Sequence, residues 1–148
     1  MTAKESSKVQ FHFLTSSFTL KDRNNLKTYL IKVFRQNGRQ LDTLNYIFCT
    51  DEYLLSINQQ FLKHDYFTDI ITFDLSESDS KKTIGEIYIS IDRVRENALN
   101  LKTSLKEELH RVIFHGVLHL CGYKDKTQKD VIEMRNQEQR LLDLYFKK

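Results

Sequence analysis

A chain of 148 residues, 40% hydrophobic and 29% charged, is long enough to bury roughly two thirds of its unfolded surface around one core, so a single domain over residues 1–148 is expected. No apolar run approaches the ~20 residues of a membrane span, and the opening MTAKESSK is too polar for a secretory signal. Cys49 and Cys121 make no disulfide framework; a soluble protein of the reducing cytoplasm, with no membrane partner, is expected. The net charge of +3 and pI near 8.8 permit a polyanionic partner without requiring one.

Val9 to Leu14 alternates as VQFHFL, with Val9, Phe11 and Phe13 on one face, and predicts a first strand with His12 turned outward. From Leu20 to Asn37, Leu26, Tyr29, Leu30, Val33 and Phe34 recur at helical spacing, and Gly38 closes the segment. Leu41 to Thr50 reads as a second strand, parallel to the first because a helix joins them. Asp51 is placed to cap a short helix with Leu54, Leu55, Ile57, Asn58 and Phe61 as its inner and flanking positions. The irregular stretch LKHDYFTD leads into a strand from Asp69 to Leu75. The polar run SESDSKKT and the alternating IGEIYISI then predict a hairpin. Asp92 to Leu101 reads as a helix, and a second begins near Ser104. Thr127 caps the last, with Asp130 at capping-box distance and Val131, Met134, Leu141, Leu142 and Tyr145 as apolar positions. The expected fold is α+β, a small mixed sheet packed against helices.

The helix from Ser104 carries the chemistry. Its first turns hold Lys106, Glu107, Glu108, His110 and Arg111, whereas its second half is apolar except for His115 and His119. It is expected to run from the surface into the interior. Residues four apart leave a helix on one side, so the two imidazoles are in register. Gly122 supplies a left-handed turn through which the chain returns, and Asp125 arrives as a third donor. A helical histidine can be merely packed or hydrogen-bonded, but two in register with a returning carboxylate favour a metal. The arrangement resembles the zincin plan of three protein ligands and an open fourth position. It departs from a protease in having Gly116 where HExxH carries its general-base glutamate. Cys121 falls at a helical angle well away from the histidines, so a closed four-ligand site is not indicated.

At HGVLHLCGYKD, taken with TDIITFD and IGEIYIS, the chain resembles the YbeY family of bacterial endoribonucleases, whose signature reads HGxLHLxGYDH. The resemblance runs from Asp51 to Met134. It implies a zincin-like α+β fold with a central metal-binding helix, and a single-domain metalloprotein that matures ribosomal RNA and associates with the small ribosomal subunit. It implies no organic cofactor. The family's ligands fall on His115, His119 and Asp125, the last standing where the family usually has histidine. An anionic third ligand makes the bound water less acidic and admits harder cations than zinc, such as manganese. The family's arginine after an LNxxY-like helix end falls on Leu62, leaving Lys63 either as a point-charge phosphate contact or as a solvated surface lysine.

The function expected from these readings is metal-dependent hydrolysis of single-stranded RNA. Zinc would polarise a phosphoryl oxygen and lower the pKa of a water from ~15.7 toward neutrality. Glu108 and Arg111 lie on the histidine side, either binding substrate at the rim or forming an i, i+3 ion pair. Tyr66 and Phe67 offer faces on which a base could stack, or are incidental loop aromatics. His64 and Asp65 acquire no role. Two other classes remain at this point: a zinc peptidase-like hydrolase, against which Gly116 argues, and a ribosome-associated factor whose metal is structural.

Overall fold

The computed structural model describes residues 1–147. After a four-residue helix α1 (Ala3–Ser6), the chain runs β1 (Val9–Phe13), α2 (Arg23–Gln36), β2 (Gln40–Cys49), α3 (Asp51–Leu62), β3 (Ile70–Asp74), β4 (Lys82–Ser90), α4 (Ile91–Leu101), α5 (Leu105–Leu120) and α6 (Gln128–Phe146). The four strands form one sheet in the order β1-β2-β4-β3. β1 and β4 pair parallel to β2, and β3 closes the sheet antiparallel to β4 as the predicted hairpin. The α+β expectation holds, with α5 packed against α2, α4, α6, β3 and β4.

Period-two alternation divides the apolar residues between the sheet's two faces. Leu44, Tyr46, Phe48, Ile87 and Ile89 meet α2, α5 and α6 in the main core. Cys49, Leu54, Ile57 and Ile71 form a smaller cluster that includes α3. A register shift between Leu41 and Thr43 interrupts the β2–β4 ladder. The extra residue there lets Leu41 and Leu44, three apart, both be buried.

Four local expectations change. Thr50, not Asp51, is the N-cap of α3: its hydroxyl accepts from Tyr53 N. The Asp51 carboxylate is taken by Arg93 Nη2 at 2.7 Å and by the Ser90 hydroxyl, partners no local rule anticipates. α2 begins only at Arg23, because Asp22 adopts a left-handed conformation without a capping hydrogen bond, while Leu20 is already core. In α5, Glu108 and His110 are buried despite lying in the first turns. His110 packs against Phe114, Tyr145 and Phe146, so the buried stretch begins already at Glu108, while Lys106 stays exposed. Val131 is exposed, whereas Met134, Leu141 and Leu142 are buried as expected.

α5 sits unusually close to the sheet at two glycines. A Cβ on Gly116 would lie 2.7 Å from Ile87 Cδ1, and one on Gly85 would lie 2.7 Å from Leu120 Cδ1. The buried Tyr46 hydroxyl donates to Ile113 O at 2.9 Å, tying strand to helix just before the first histidine of the pair. The helix ends as predicted: Gly122 has φ +104°, Tyr123 N donates to Leu118 O, and Gly122 N donates to His119 O. These bonds form the Schellman pattern that turns the chain back over the last turn. The Thr127/Asp130 capping box then starts α6.

Candidate metal centre

His115 and His119 occupy successive turns of α5, and the Gly122 return carries Asp125 back to them. His119 Nε2 lies 3.2 Å and His115 Nε2 3.6 Å from Asp125 Oδ2. One donor atom from each of the three residues falls within 4.8 Å of the others. With metal–ligand bonds of 2.0–2.1 Å, the edge of a tetrahedron is about 3.3 Å. The two distances bracket that edge, so the Asp125 oxygen already stands at ligand spacing from each imidazole. Both histidines are half-buried and Asp125 is exposed. The three groups therefore open outward onto a cavity.

The decisive partner comes from α6. Glu138 is only 2% exposed, yet its Oε2 lies 2.6 Å from His115 Nδ1. A carboxylate there accepts the Nδ1 proton and leaves the Nε2 lone pair for a metal, the carboxylate–histidine–metal arrangement. Glu138 Oε1 also faces Arg135 Nη1 at 3.4 Å and Arg111 Nη1 at 3.7 Å. The sequence carried one signal for it: a carboxylate on the same stripe of α6 as Met134, Leu141 and Leu142.

The triad opens on a cavity of about 560 Å³. Among the described residues lining it, four carboxylates (Asp69, Glu108, Asp125, Glu138) face two guanidiniums, Arg111 and Arg135. A divalent cation would offset that formal excess of two negative charges. Arg111 Nε lies 3.3 Å from Glu108 Oε1, so the predicted i, i+3 pair exists and also lies in the cavity wall. That buried oxygen has no hydrogen-bond partner among the described residues. Burial pushes the Glu108 carboxyl above its ordinary range while Arg111 opposes the shift. Burial likewise raises the Asp69 carboxyl against the lowering pull of His115. Asn97 Nδ2 donates to Asp69 Oδ2 at 3.2 Å.

One expected participant stands apart. Lys63 is the left-handed C-cap of α3 and is exposed, outside the cavity lining. The cations that line the cavity with the triad are Arg111 and Arg135. Cys121 is not part of the cluster, and burial pushes its thiol up to about 12. Gly116 points at Ile87 and Ile70 of the sheet. A side chain there would crowd the Ile87 and Ile70 side chains, which would have to shift to admit it.

Comparison with known proteins gives a consistent picture. The family described as Endoribonuclease YbeY matches residues 10–145. An Endoribonuclease YbeY of Cytophaga hutchinsonii is 50% identical over 129 residues, covering 87% of this chain and 90% of that protein. One from Flavobacterium psychrophilum is 47% identical over 131 residues, covering 88% and 92%. The solution structure of TM1509 from Thermotoga maritima superimposes with a TM-score of 0.67 at 29% identity, covering 93% of this chain and 89% of that one.

Proposed function

The chain belongs to the YbeY family of endoribonucleases, and from that premise we propose that it is a metal-dependent enzyme that hydrolyses phosphodiester bonds of single-stranded RNA during ribosomal RNA maturation. The observation that carries the reading is the convergence of one donor atom each from His115, His119 and Asp125 to within 4.8 Å of one another, with Glu138 at His115 Nδ1 leaving the Nε2 lone pair for a metal. These three residues hold one divalent cation, for which zinc suits the mixed nitrogen and oxygen donors. Such a cation supplies Lewis-acid polarisation of a phosphoryl oxygen and lowers the pKa of water.

The protein's own groups do the rest. Arg111, braced by Glu108 and Glu138, and Arg135 at the cavity edge present guanidinium donors to non-bridging phosphate oxygens. Asp69, raised by burial, is a stronger base than an exposed carboxylate and is suited to take a proton during the displacement. Lys63, outside the cavity, meets RNA phosphate beyond the scissile one. One domain over residues 1–148 carries these parts. No helix among the described residues is long and apolar enough to cross a membrane. The work is placed in the cytoplasm, on the small ribosomal subunit.

The test is cleavage of a labelled single-stranded RNA by zinc-loaded protein. His119→Ala is expected to remain folded, lose the metal and lose cleavage. Product ends identify the attacking group: a 5′-phosphate with a free 3′-hydroxyl supports hydrolysis, whereas a 2′,3′-cyclic phosphate would replace water by the RNA 2′-hydroxyl as nucleophile. Pelleting with isolated small subunits tests the proposed ribosome association.

A further inference from the structure

Near the cavity, large aromatic side chains stand out in solvent. Phe61, Tyr66 and Phe67 are 58%, 56% and 49% exposed, gathered at the end of α3 and in the segment behind it. That segment is pinned rather than loose. Asn58, itself buried, donates its amide to Tyr66 O at 2.9 Å and accepts His64 N at its backbone oxygen. Gln59 Nε2 holds Asp65 Oδ1. Each of the two loop rings is backed by a flat group. Tyr66 stacks on His64 at 5.1 Å with an interplanar angle of 21°, and their Oη and Nδ1 atoms are 2.9 Å apart. The Arg93 guanidinium lies 5.3 Å from the centre of Phe67 and is anchored by Asp51. Holding two half-exposed aromatic rings rigid, each supported from behind, presents flat apolar faces to solvent at low entropic cost.

The chain leads directly from these rings into the active cavity, because Thr68 and Asp69, the next two residues, line it beside His115 and His119. Lys63 stands just before the loop, at the α3 terminus. We propose that Tyr66 and Phe67 form a base-stacking platform for a nucleotide flanking the one cleaved, with Lys63 as the cation for the phosphate on that side. This rests on the single-stranded RNA reading above. Flat faces flanked by Lys63, His64 and Arg93 match the chemistry of unpaired nucleotides, whose bases stack on aromatic rings and whose phosphates seek cations. Duplex RNA keeps its bases stacked internally and cannot use such a platform, so these rings give the enzyme a preference for single strands.

The chain contains no tryptophan, so Phe67→Trp introduces a lone indole reporter. Titrating zinc-loaded Phe67→Trp, and separately the metal-free Phe67→Trp/His119→Ala double variant that cannot turn over, with a single-stranded oligoadenylate is expected to quench the indole fluorescence. The same strand in a duplex is expected not to. Tyr66→Ala and Phe67→Ala should each raise KM and oligonucleotide Kd roughly tenfold at matched salt, while Tyr66→Phe, which keeps the ring, binds as the parent does. Circular dichroism melts confirm that the variants are folded. Wild-type cleavage with no quenching at saturating oligonucleotide, and with unchanged KM in both alanine variants, would overturn the platform alone. Alanine variants that bind oligonucleotide normally but no longer pellet with the small subunit would overturn it in favour of a protein-docking patch. Failure of the wild type to cut or bind RNA would overturn the endoribonuclease reading, and the platform with it.

Discussion

Replacing Glu138 by glutamine should weaken metal binding about tenfold to a hundredfold while leaving the protein folded. The side chain is nearly isosteric, so packing at this buried position is kept and only the charge is removed. In the parent, the 2.6 Å contact between His115 Nδ1 and Glu138 Oε2 is a hydrogen bond to a carboxylate, a class worth about 1.5–3 kcal/mol against about 0.5–1.5 kcal/mol for a neutral one. If the oxygen of the introduced amide still accepts from Nδ1, the difference is about 1–1.5 kcal/mol, or close to tenfold in affinity. If the amide nitrogen turns to His115 instead, the imidazole must carry its proton on Nε2. The metal must then displace it, which pushes the loss to the hundredfold end seen for outer-sphere partners of zinc ligands. Loss of the anion also leaves Arg135 without its partner at 3.4 Å and Arg111 with Glu108 alone, adding positive charge beside the ion in either case. Zinc affinity measured by competition with a chromophoric chelator at pH 7.5, alongside a melt of the metal-free protein, reads both quantities. A zinc Kd within twofold of wild type in a folded Glu138→Gln variant would refute the claim that Glu138 orients His115 for a metal.

Further outcomes follow from the same geometry. Asp125→Ala should lower the bound-metal stoichiometry after dialysis, while Asp125→His restores it, both read by elemental analysis; occupancy indifferent to Asp125 would mean the third ligand lies elsewhere. Gly116→Glu, which completes an HExxH sequence, should not create peptide cleavage. It should lower Tm by at least about 6 °C, because the new Cβ meets Ile87 at 2.7 Å, overpacking costs about 1–3 kcal/mol and the carboxylate adds a desolvation cost. A fluorogenic peptide assay and a melting curve check both halves. His110 is buried against Tyr145 and Phe146, and that burial lowers its pKa from the usual 6.5 even though the Lys106 carbonyl contact opposes the shift. The unfolded chain therefore binds the proton more readily, so this contribution is fully present above pH 6.5 and is lost as pH falls through the depressed folded pKa. Denaturant titrations at pH 7.5 and pH 5 should show a smaller loss of stability in His110→Gln than in wild type; equal losses would contradict the assignment.

Much of the site was legible because its signals are local. The helical register of His115 and His119, the Gly122 termination and the Thr127/Asp130 capping box each depend on residues within four positions of one another. Local geometry carries such patterns whatever the surroundings. Strand alternation in β1 predicted its buried face for the same reason. The cap of α3 was misplaced because Thr50 and Asp51 both have capping side chains, and the choice falls to Arg93 and Ser90, some 40 positions away, which occupy Asp51.

By itself, the order of residues determined most of the elements, the grouping of His115, His119 and Asp125 on a helix and its return, and the family to which the chain belongs. Only the tertiary structure decided that Glu138, 23 positions beyond His115, supports that histidine, that Arg111 and Arg135 rather than Lys63 enter the cavity, and that Gly116 lies close against the Ile87 and Ile70 side chains. Helical and strand periodicity reports which side of an element faces inward. It carries no record of which residue on a distant element will be opposite, since that follows from how closely α5, α6 and the sheet pack against one another.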